Sequence, residues 1–332
     1  MSRRSRVAGA KPSVAGVVLN YNGRDVTLDT LASLAGLDYS PFDLLVVDNG
    51  STDESYETIR AAYPEVRQIR VTTNRGISWG LDHGIQDALE RGADYVLLMN
   101  NDIEVDASML DEMVAVAERE ERVGCVGPKS YYWSDRERLW STGGILRLRE
   151  SLTRERGDGE LDRGQYDRDE VVPYVNGCAM LVPREAFERA GYWDPCYYLG
   201  LEDADFCVRL KALGYRCWYA HRARLWHRIS HSIGVYKPTR TFHTARSAAI
   251  FLRKHCTRLE RLRATLWLLV AVPFAALREL PRGNQAAAFQ KLRGFREGMR
   301  IPLEPIPERF DDLIEEPEPG RRGEPASPAE AR

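Results

Sequence analysis

Phe42-Asp43-Leu44-Leu45-Val46-Val47-Asp48-Asn49-Gly50-Ser51-Thr52-Asp53 is an apolar run that stops abruptly in polar turn residues. A second stretch, Tyr95-Val96-Leu97-Leu98-Met99-Asn100-Asn101-Asp102, has the same form. Short runs of leucine and β-branched residues that end in turn formers read as buried strands of a parallel sheet. In such sheets ligands bind in the crevice beyond the carboxyl ends of the strands. Asp48 and Asp102 are therefore expected to project into one shared crevice. Two carboxylates there suit a divalent metal and a polar ligand, and do nothing for a core.

Working outward, Val14 to Leu19 reads as a strand that ends at Asn20-Tyr21-Asn22-Gly23. Arg24 to Leu37 has helical spacing, with Val26, Leu28, Leu31 and Leu34 apolar. Thr52 or Asp53 can cap the next helix. Val66 to Val71 is a third strand ending in Thr72-Thr73-Asn74-Arg75-Gly76, and Ile77 to Arg91 a helix. This β-α-β-α-β-α-β order predicts an α/β fold with a mainly parallel central sheet. Right-handed crossovers put all four strand ends on one edge. Beyond Asp102 the alternation loosens. Ser108 to Glu120, Pro183 to Ala190 and Glu202 to Leu213 read as helices. Val123 to Val126, Val171 to Val182 (broken at Asn176-Gly177) and Arg216 to Ala220 read as strands. The highly charged residues 149–170 read as an exposed loop.

A length of 332 residues holds one large α/β domain or two smaller ones, and 43% apolar content supports a real core. A net charge of −2 gives no global pull toward nucleic acid. None of the six cysteines forms a CxxC pair, which argues against structural zinc, and several sit in apolar surroundings as small core residues do. Met1-Ser2-Arg3-Arg4-Ser5-Arg6 has no apolar stretch behind it. That argues against a secretory signal and for a reducing, cytosolic compartment. Ala264 to Leu277 carries no charge but is interrupted by Pro273. It falls short of the roughly 20 apolar residues that span a bilayer.

Several clusters carry chemistry. The Asp48 carboxylate can accept from a base or ribose, and the Asn49-Gly50 turn admits close backbone approach. An ordinary strand-to-helix turn accounts for the same residues. Asn100-Asn101-Asp102 offers oxygen ligands of the kind Mg²⁺ or Mn²⁺ takes together with substrate phosphates. A plain turn is again the alternative. Glu202-Asp203-Ala204-Asp205 opens a helix, where acids favour the dipole. It follows the aromatic, turn-rich segment from Gly191 to Gly200, which contains Trp193 and could form a wall for a sugar. A carboxylate at the end of that wall could act as a general base. The dipole lowers its pKa and crowding by Glu202 and Asp205 raises it. His227 and His231 have i, i+4 spacing, but the glutamate of a zinc HExxH helix is absent. A lone histidine is more often structural.

Taken as an ordered set, these landmarks resemble family-2 glycosyltransferases of the GT-A fold, in particular their rhamnosyltransferase-like branch. The matching segments are Val17 to Asn22, Val47 to Asp53, Asn74-Arg75-Gly76, Asn100-Asn101-Asp102, Asn176 to Met180, Glu202 to Asp205, and His227. The resemblance implies a GT-A catalytic domain over 13–256, with a nucleotide-sugar half at 13–105 and an acceptor half at 106–256. It is flanked by a disordered basic arm (1–12), an amphipathic, apolar helical region (257–300) and a disordered Pro/Glu-rich tail (301–332). The implied donor contacts are Asn20, Asn22, Asp48, Asn74, Gly76, Asn100 and Asn101. Asp102 would hold Mg²⁺ or Mn²⁺ with His227. Asp203 would be the base, with Glu202, Trp193, Asn176 and Gly177 at the acceptor. Two departures stand out: Asn100 replaces the first aspartate of the DxD motif, and Asp82 stands where the family often has Asn.

The implied reaction is an inverting displacement from a nucleotide-diphosphate sugar, with dTDP-rhamnose as the expected donor. A glycan or lipid-linked glycan is the expected acceptor, in cell-surface polysaccharide or glycoprotein glycan synthesis. The apolar helical region and its arginines add an expected peripheral contact with an anionic membrane, at the cytoplasmic face of the plasma membrane, with oligomerisation left open and no nucleic acid. Two rivals are weighed. A sugar-nucleotide nucleotidyltransferase wants a Gly-rich, Lys-bearing loop after the first strand, which Asn20-Tyr21-Asn22-Gly23-Arg24 lacks. A catalytically silent nucleotide-sugar-binding scaffold has no need of Asp102, Asp203 and His227.

Overall fold

Alternate residues of one strand point to opposite faces of a sheet, and here they feed two separate cores. Val17, Leu45, Val47, Val96 and Leu98 pack with Leu81 and Ile85 on one face. Val18, Val46, Leu97 and Met99 pack with Leu31, Leu34 and Met113 on the other. The computed structural model describes residues 10–147, 152–229, 238–279 and 285–310. The first part alternates as the sequence predicts: β1 (Val14–Asn20), α1 (Arg24–Leu34), β2 (Phe42–Asp48), α2 (Ser55–Ala62), β3 (Arg67–Arg70), α3 (Ile77–Glu90), β4 (Tyr95–Asn100). There follow β5 (Ile103–Val105), α4 (Met109–Arg119), β6 (Val123–Tyr132), β7 (Asp135–Ser141), β8 (Gly144–Arg147), β9 (Leu152–Glu155) and β10 (Glu170–Val172). The remainder is β11 (Ala179–Pro183), α5 (Arg184–Ala190), α6 (Glu202–Ala212), β12 (Arg216–His227), α7 (Pro238–His255), α8 (Arg258–Glu279) and α9 (Gln285–Gly298).

The main sheet runs β10-β12-β6-β11-β4-β1-β2-β3, with β5 paired to β12 and β7 to β6. β1 to β4 are parallel, β11 enters antiparallel between β4 and β6, and β12 runs parallel to β6. β12 therefore ends on the same edge as β1, β2 and β4. α3 lies tight on the sheet: a Cβ on Gly84 would sit 2.4 Å from Val17 Cγ1, and one on Gly80 would sit 2.6 Å from Leu19 Cδ1.

Several expectations are corrected. β12 does not stop at Ala220 but continues to His227 through a register shift between Ala220 and Arg224. Arg222 and Arg224 alternate there with buried Ala223 and Leu225, and the arginines mask the strand. Of the stretch 149–170, residues 149–151 lie outside the described residues and the rest is not simply an exposed loop. β9 pairs with β8, and Asp162 and Asp167 reach Lys129 Nζ at 3.0 and 2.5 Å. Lys129 is fully buried, so the charges that made this stretch look solvated neutralise an interior cation. Part of the basic arm is also docked: Lys11 Nζ reaches Asp111 Oδ1 at 2.5 Å, and Tyr39 donates to the Pro12 carbonyl at 2.6 Å. Residues 1–9 lie outside the described residues.

The boundary drawn after 256 divides a packed helix pair. α9 lies on α7 so closely that a Cβ on Gly294 would meet Phe242 O at 2.1 Å, and one on Gly298 would meet Arg246 O at 2.3 Å. The tail likewise begins with an ordered strap. Phe310 is 1% exposed and packs edge-on to Trp79 and Tyr192 and beside His83. Its backbone N–H donates to Gln86 Oε1 at 2.7 Å. Residues 311–332 lie outside the described residues. Cys125, Cys207 and Cys217 meet in the core with their sulfurs within 4.8 Å of one another, a proximity that sequence spacing does not reveal.

Candidate active site

The strand ends assemble a polar edge around Asn20. Its Nδ2 donates to Asp48 Oδ2 (3.0 Å), Ser51 Oγ (3.2 Å) and Ser55 Oγ (3.0 Å), and its Oδ1 accepts from Thr27 Oγ1 (2.9 Å). Asn20 is fully buried, so the side chain expected on the donor is a hub that fixes the turns around it. Asp48 is 1% exposed; its second oxygen accepts from the Ser51 N–H at 3.0 Å. Asn22 Oδ1 accepts from the Thr52 N–H at 2.8 Å, closing the turn after β2. Asn74 Oδ1 accepts from the Gly76 N–H at 2.9 Å. Gly76 has φ +108, and a Cβ there would sit 2.6 Å from Tyr198 Cα, so no other residue fits this joint between the halves.

At the end of β4 the three polar residues divide. Asn101 turns inward, donating to Thr27 Oγ1 at 2.8 Å. Asp102 turns to His227: Oδ1 and Nε2 are 3.0 Å apart, although 125 positions separate them in sequence. Pairing of His227 with Ile103 across β12 and β5 makes the meeting, and the Arg228 N–H donates to the Asp102 carbonyl at 2.8 Å. Asn100 Nδ2 is 3.5 Å from the same imidazole nitrogen. The donor set fits a divalent cation: one carboxylate oxygen, one imidazole nitrogen and an amide beside them, with further positions left for substrate oxygens. His227 Nδ1 is buried with no partner among the described residues. A metal-bound imidazole usually donates that N–H, so this is the one departure from the pattern. His227 ends a strand, and His231, its i, i+4 neighbour, lies outside the described residues.

Asp203 stands in the first turn of α6. Its Oδ2 accepts from the Gly177 N–H at 2.9 Å and its Oδ1 from the Ala204 N–H at 2.7 Å. The Asn100 N–H donates to the Cys178 carbonyl at 3.0 Å, so the Gly177 turn that holds Asp203 adjoins the end of β4. Burial raises the Asp203 pKa against the Gly177 hydrogen bond, with Cys207 and Glu155 adding to the rise. Glu202 is raised by burial and then by the charge of Asp203, and its Oε2 has no partner among the described residues. Asp205 is different. Burial would raise it, but His255, Arg209 and Lys254 hold it well below the usual carboxylate range. It is fully buried and locks α6 to α7.

The readings of Trp193 and Asp82 change. Trp193 is 1% exposed and sits with Phe206 in the core, so it offers no open wall; only its ring edge backs Gly177. Asp82 does not face the donor side. It accepts from the Trp193 N–H at 3.0 Å, and burial pushes its carboxyl well above the usual range. The sequence reading missed Glu155 and Trp140. Glu155 Oε1 accepts from Tyr174 Oη (2.7 Å) and Asn176 Nδ2 (3.1 Å), so Asn176 is turned to a half-buried carboxylate. Trp140 lies 4.4 Å from the His227 ring. The alternation in Leu139-Trp140-Ser141-Thr142 before Gly143-Gly144 was the available signal.

Residues 17–191 match the sequence pattern of Glycosyl transferase family 2. The N-acetylglucosaminyl-diphospho-decaprenol L-rhamnosyltransferase of Mycobacterium tuberculosis is 27% identical over 243 residues, covering 67% of this chain and 78% of that protein. The poly-beta-1,6-N-acetyl-D-glucosamine synthase of Staphylococcus epidermidis is 22% identical over 77% of this chain and 60% of its own length. Among solved structures, GalNAc-T7 with UDP, GalNAc and Mn²⁺ superposes with a TM-score of 0.58 at 15% identity, over 73% of this chain and 48% of that one. The mannosyltransferase PcManGT from Pyrobaculum calidifontis, in complex with GDP-Man and Mn²⁺, gives 0.51 at 16% identity over 88% of each chain. The family pattern spans more than half of the chain and the superpositions share its α/β sheet, so this protein belongs to glycosyl transferase family 2, as a GT-A-fold glycosyltransferase.

Proposed function

We propose that this chain moves a sugar from a nucleotide-diphosphate sugar to a glycan or lipid-linked glycan acceptor, with inversion at the anomeric carbon. The observation that carries the reading is the meeting of Asp102 Oδ1 and His227 Nε2 at 3.0 Å, on the edge that Asp203 also reaches. Asp102 and His227 would hold Mg²⁺ or Mn²⁺, which when bound supplies positive charge against the diphosphate leaving group. The two superposed structures contain Mn²⁺ with UDP or GDP-Man, in support of that class of donor and ion.

Asp203 takes the acceptor hydroxyl proton. Its raised pKa brings it toward the pH at which a general base works best, while the Gly177 and Ala204 N–H groups hold its orientation. Each of its oxygens keeps a second lone pair for that proton. As the acceptor oxygen bonds to the anomeric carbon, the bond to the diphosphate oxygen breaks, in one displacement. Asn22, Asn74, Gly76 and Asn100 line the donor side. Asn20, Asp48 and Asn101 fix the turns that present them. Glu202, Asn176 and Gly177 shape the acceptor side. The similarity to a rhamnosyltransferase that acts on a decaprenol-linked substrate supports dTDP-rhamnose as donor and a lipid-linked acceptor. A lipid-linked acceptor would place the chain at the cytoplasmic face of the plasma membrane, in surface glycan synthesis. No helix among the described residues is long and apolar enough to cross a membrane, so the contact proposed is peripheral.

The test is nucleoside diphosphate release from dTDP-, UDP- and GDP-sugars with Mn²⁺ or Mg²⁺ and a polyprenyl-linked glycan. Release that requires metal and acceptor, and vanishes in Asp102→Ala, supports the reading. Binding of a sugar nucleotide with no turnover under any of these conditions would leave a silent binding protein.

A further inference from the structure

α8 and α9 adjoin, and each carries exposed side chains that the transfer chemistry does not use. Leu259, Leu262, Leu266, Trp267, Val270 and Phe274 of α8 are each more than half exposed. Their spacing of three and four residues draws one stripe along the helix. On α9, Gly294, Phe295 and Gly298 are buried, and the two glycines meet α7. At 100° per residue, Arg293 and Arg296 lie about 60° apart on the opposite side, and Arg300 follows two residues beyond the helix end. Exposed Leu292 and Met299 border them. The three arginines, with Glu297 and Ile301, line an open groove of about 500 Å³. The Glu297 carboxylate is engaged by Arg246 at 3.1 Å, and Arg296 and Arg300 have no carboxylate partner among the described residues. The groove is therefore positive and bordered by exposed apolar side chains.

We propose that this groove binds the phosphate of an anionic lipid headgroup while the α8 stripe lies in the leaflet interface. Guanidinium forks match phosphate oxygens, and large apolar and aromatic side chains next to arginines suit the boundary between headgroup and acyl chain. A second copy of the chain is a poorer occupant, because a two-fold contact through this face would set arginine against arginine. The inference deepens the peripheral contact proposed above and is independent of the transfer step.

The full chain is floated with vesicles of phosphatidylcholine alone and with vesicles in which phosphatidylglycerol replaces part of it. Binding is expected only to the anionic vesicles. At about 1 kcal/mol per basic residue, R296Q/R300Q should weaken it roughly thirty-fold, and W267S/F274S should abolish it. Excess inorganic phosphate should leave the wild type bound. Equal binding of wild type and R296Q/R300Q would overturn the groove. Release by inorganic phosphate would make it a site for a free anion. A protein that ignores both vesicles and sediments as a dimer would assign the face to a second copy. Melting profiles and donor hydrolysis without vesicles are measured on each variant. Failure of hydrolysis with vesicle binding intact would overturn the transfer reading and leave this one standing.

Discussion

Asp203→Asn separates the base from the scaffold. The aspartate accepts two backbone N–H groups, from Gly177 at 2.9 Å and Ala204 at 2.7 Å. Asparagine keeps one acceptor oxygen and turns the other position into an NH₂ that faces a donor. One hydrogen bond is lost, at about 1 kcal/mol of stability. The opposing effect comes from charge. Burial raises the Asp203 pKa in the folded state, so the folded protein binds that proton more tightly than the unfolded chain. The stability contributed by that proton is then greatest below the ordinary aspartate pKa of roughly 4 and is lost as pH rises through the folded value. The asparagine variant lacks that slope, so the variant should gain on the wild type in melting temperature as pH rises. Turnover should fall by about 10²–10⁴-fold, equivalent to about 3–5 kcal/mol on the barrier. Donor affinity, set on the far side of the edge, should hardly change. The assay is nucleoside diphosphate release with acceptor present, alongside donor titration. Near-wild-type turnover would refute the assignment, and a collapse in Glu202→Gln alone would move the base to Glu202.

Asp102→Ala should abolish metal-dependent donor binding without unfolding the chain; turnover that survives excess chelator would remove the metal from the reaction. The acid limb of the kcat/KM profile should lie above the ordinary carboxylate range, because burial and Glu155 both raise the Asp203 pKa. Glu155→Gln should move that limb to lower pH, and a wild-type limb near roughly 4 would contradict the burial argument. Phe310→Ala empties an aromatic pocket and should cost about 3–5 kcal/mol of stability; an unchanged urea midpoint would show that the strap adds nothing.

The N-terminal half was legible because strands buried on both faces leave unbroken apolar runs, as in Leu44 to Val47 and Val96 to Met99. The later half hid its strands for a physical reason. β12 carries arginines on its outward positions, and the segment around Asp162 and Asp167 serves a buried lysine, so both read as surface. Asp102, His227 and Asp203 were identified through an ordered resemblance, and no local pattern around His227 pointed to Asp102. The fates of Asn20 and Trp193 could not be read, because residue type does not say whether a polar or aromatic group faces a ligand or its own fold. Glu155 was missed for the converse reason: it sits in a charged stretch, and only the hairpin of β8 and β9 carries it inward.

The 125-residue separation between Asp102 and His227 has a temporal meaning. At a synthesis rate of 5–20 residues per second, roughly 6 to 25 s pass between the making of one partner and the other. Until Pro183 is made, in the earlier part of that interval, β4 also lacks β11, which pairs along Tyr95 to Met99. The nascent N-terminal half therefore carries the donor-side turns with an open sheet edge and an acid that has not met its histidine. A growing or truncated chain can display the polar edge long before it can complete the Asp102–His227 pair, which cannot exist until translation has passed residue 227.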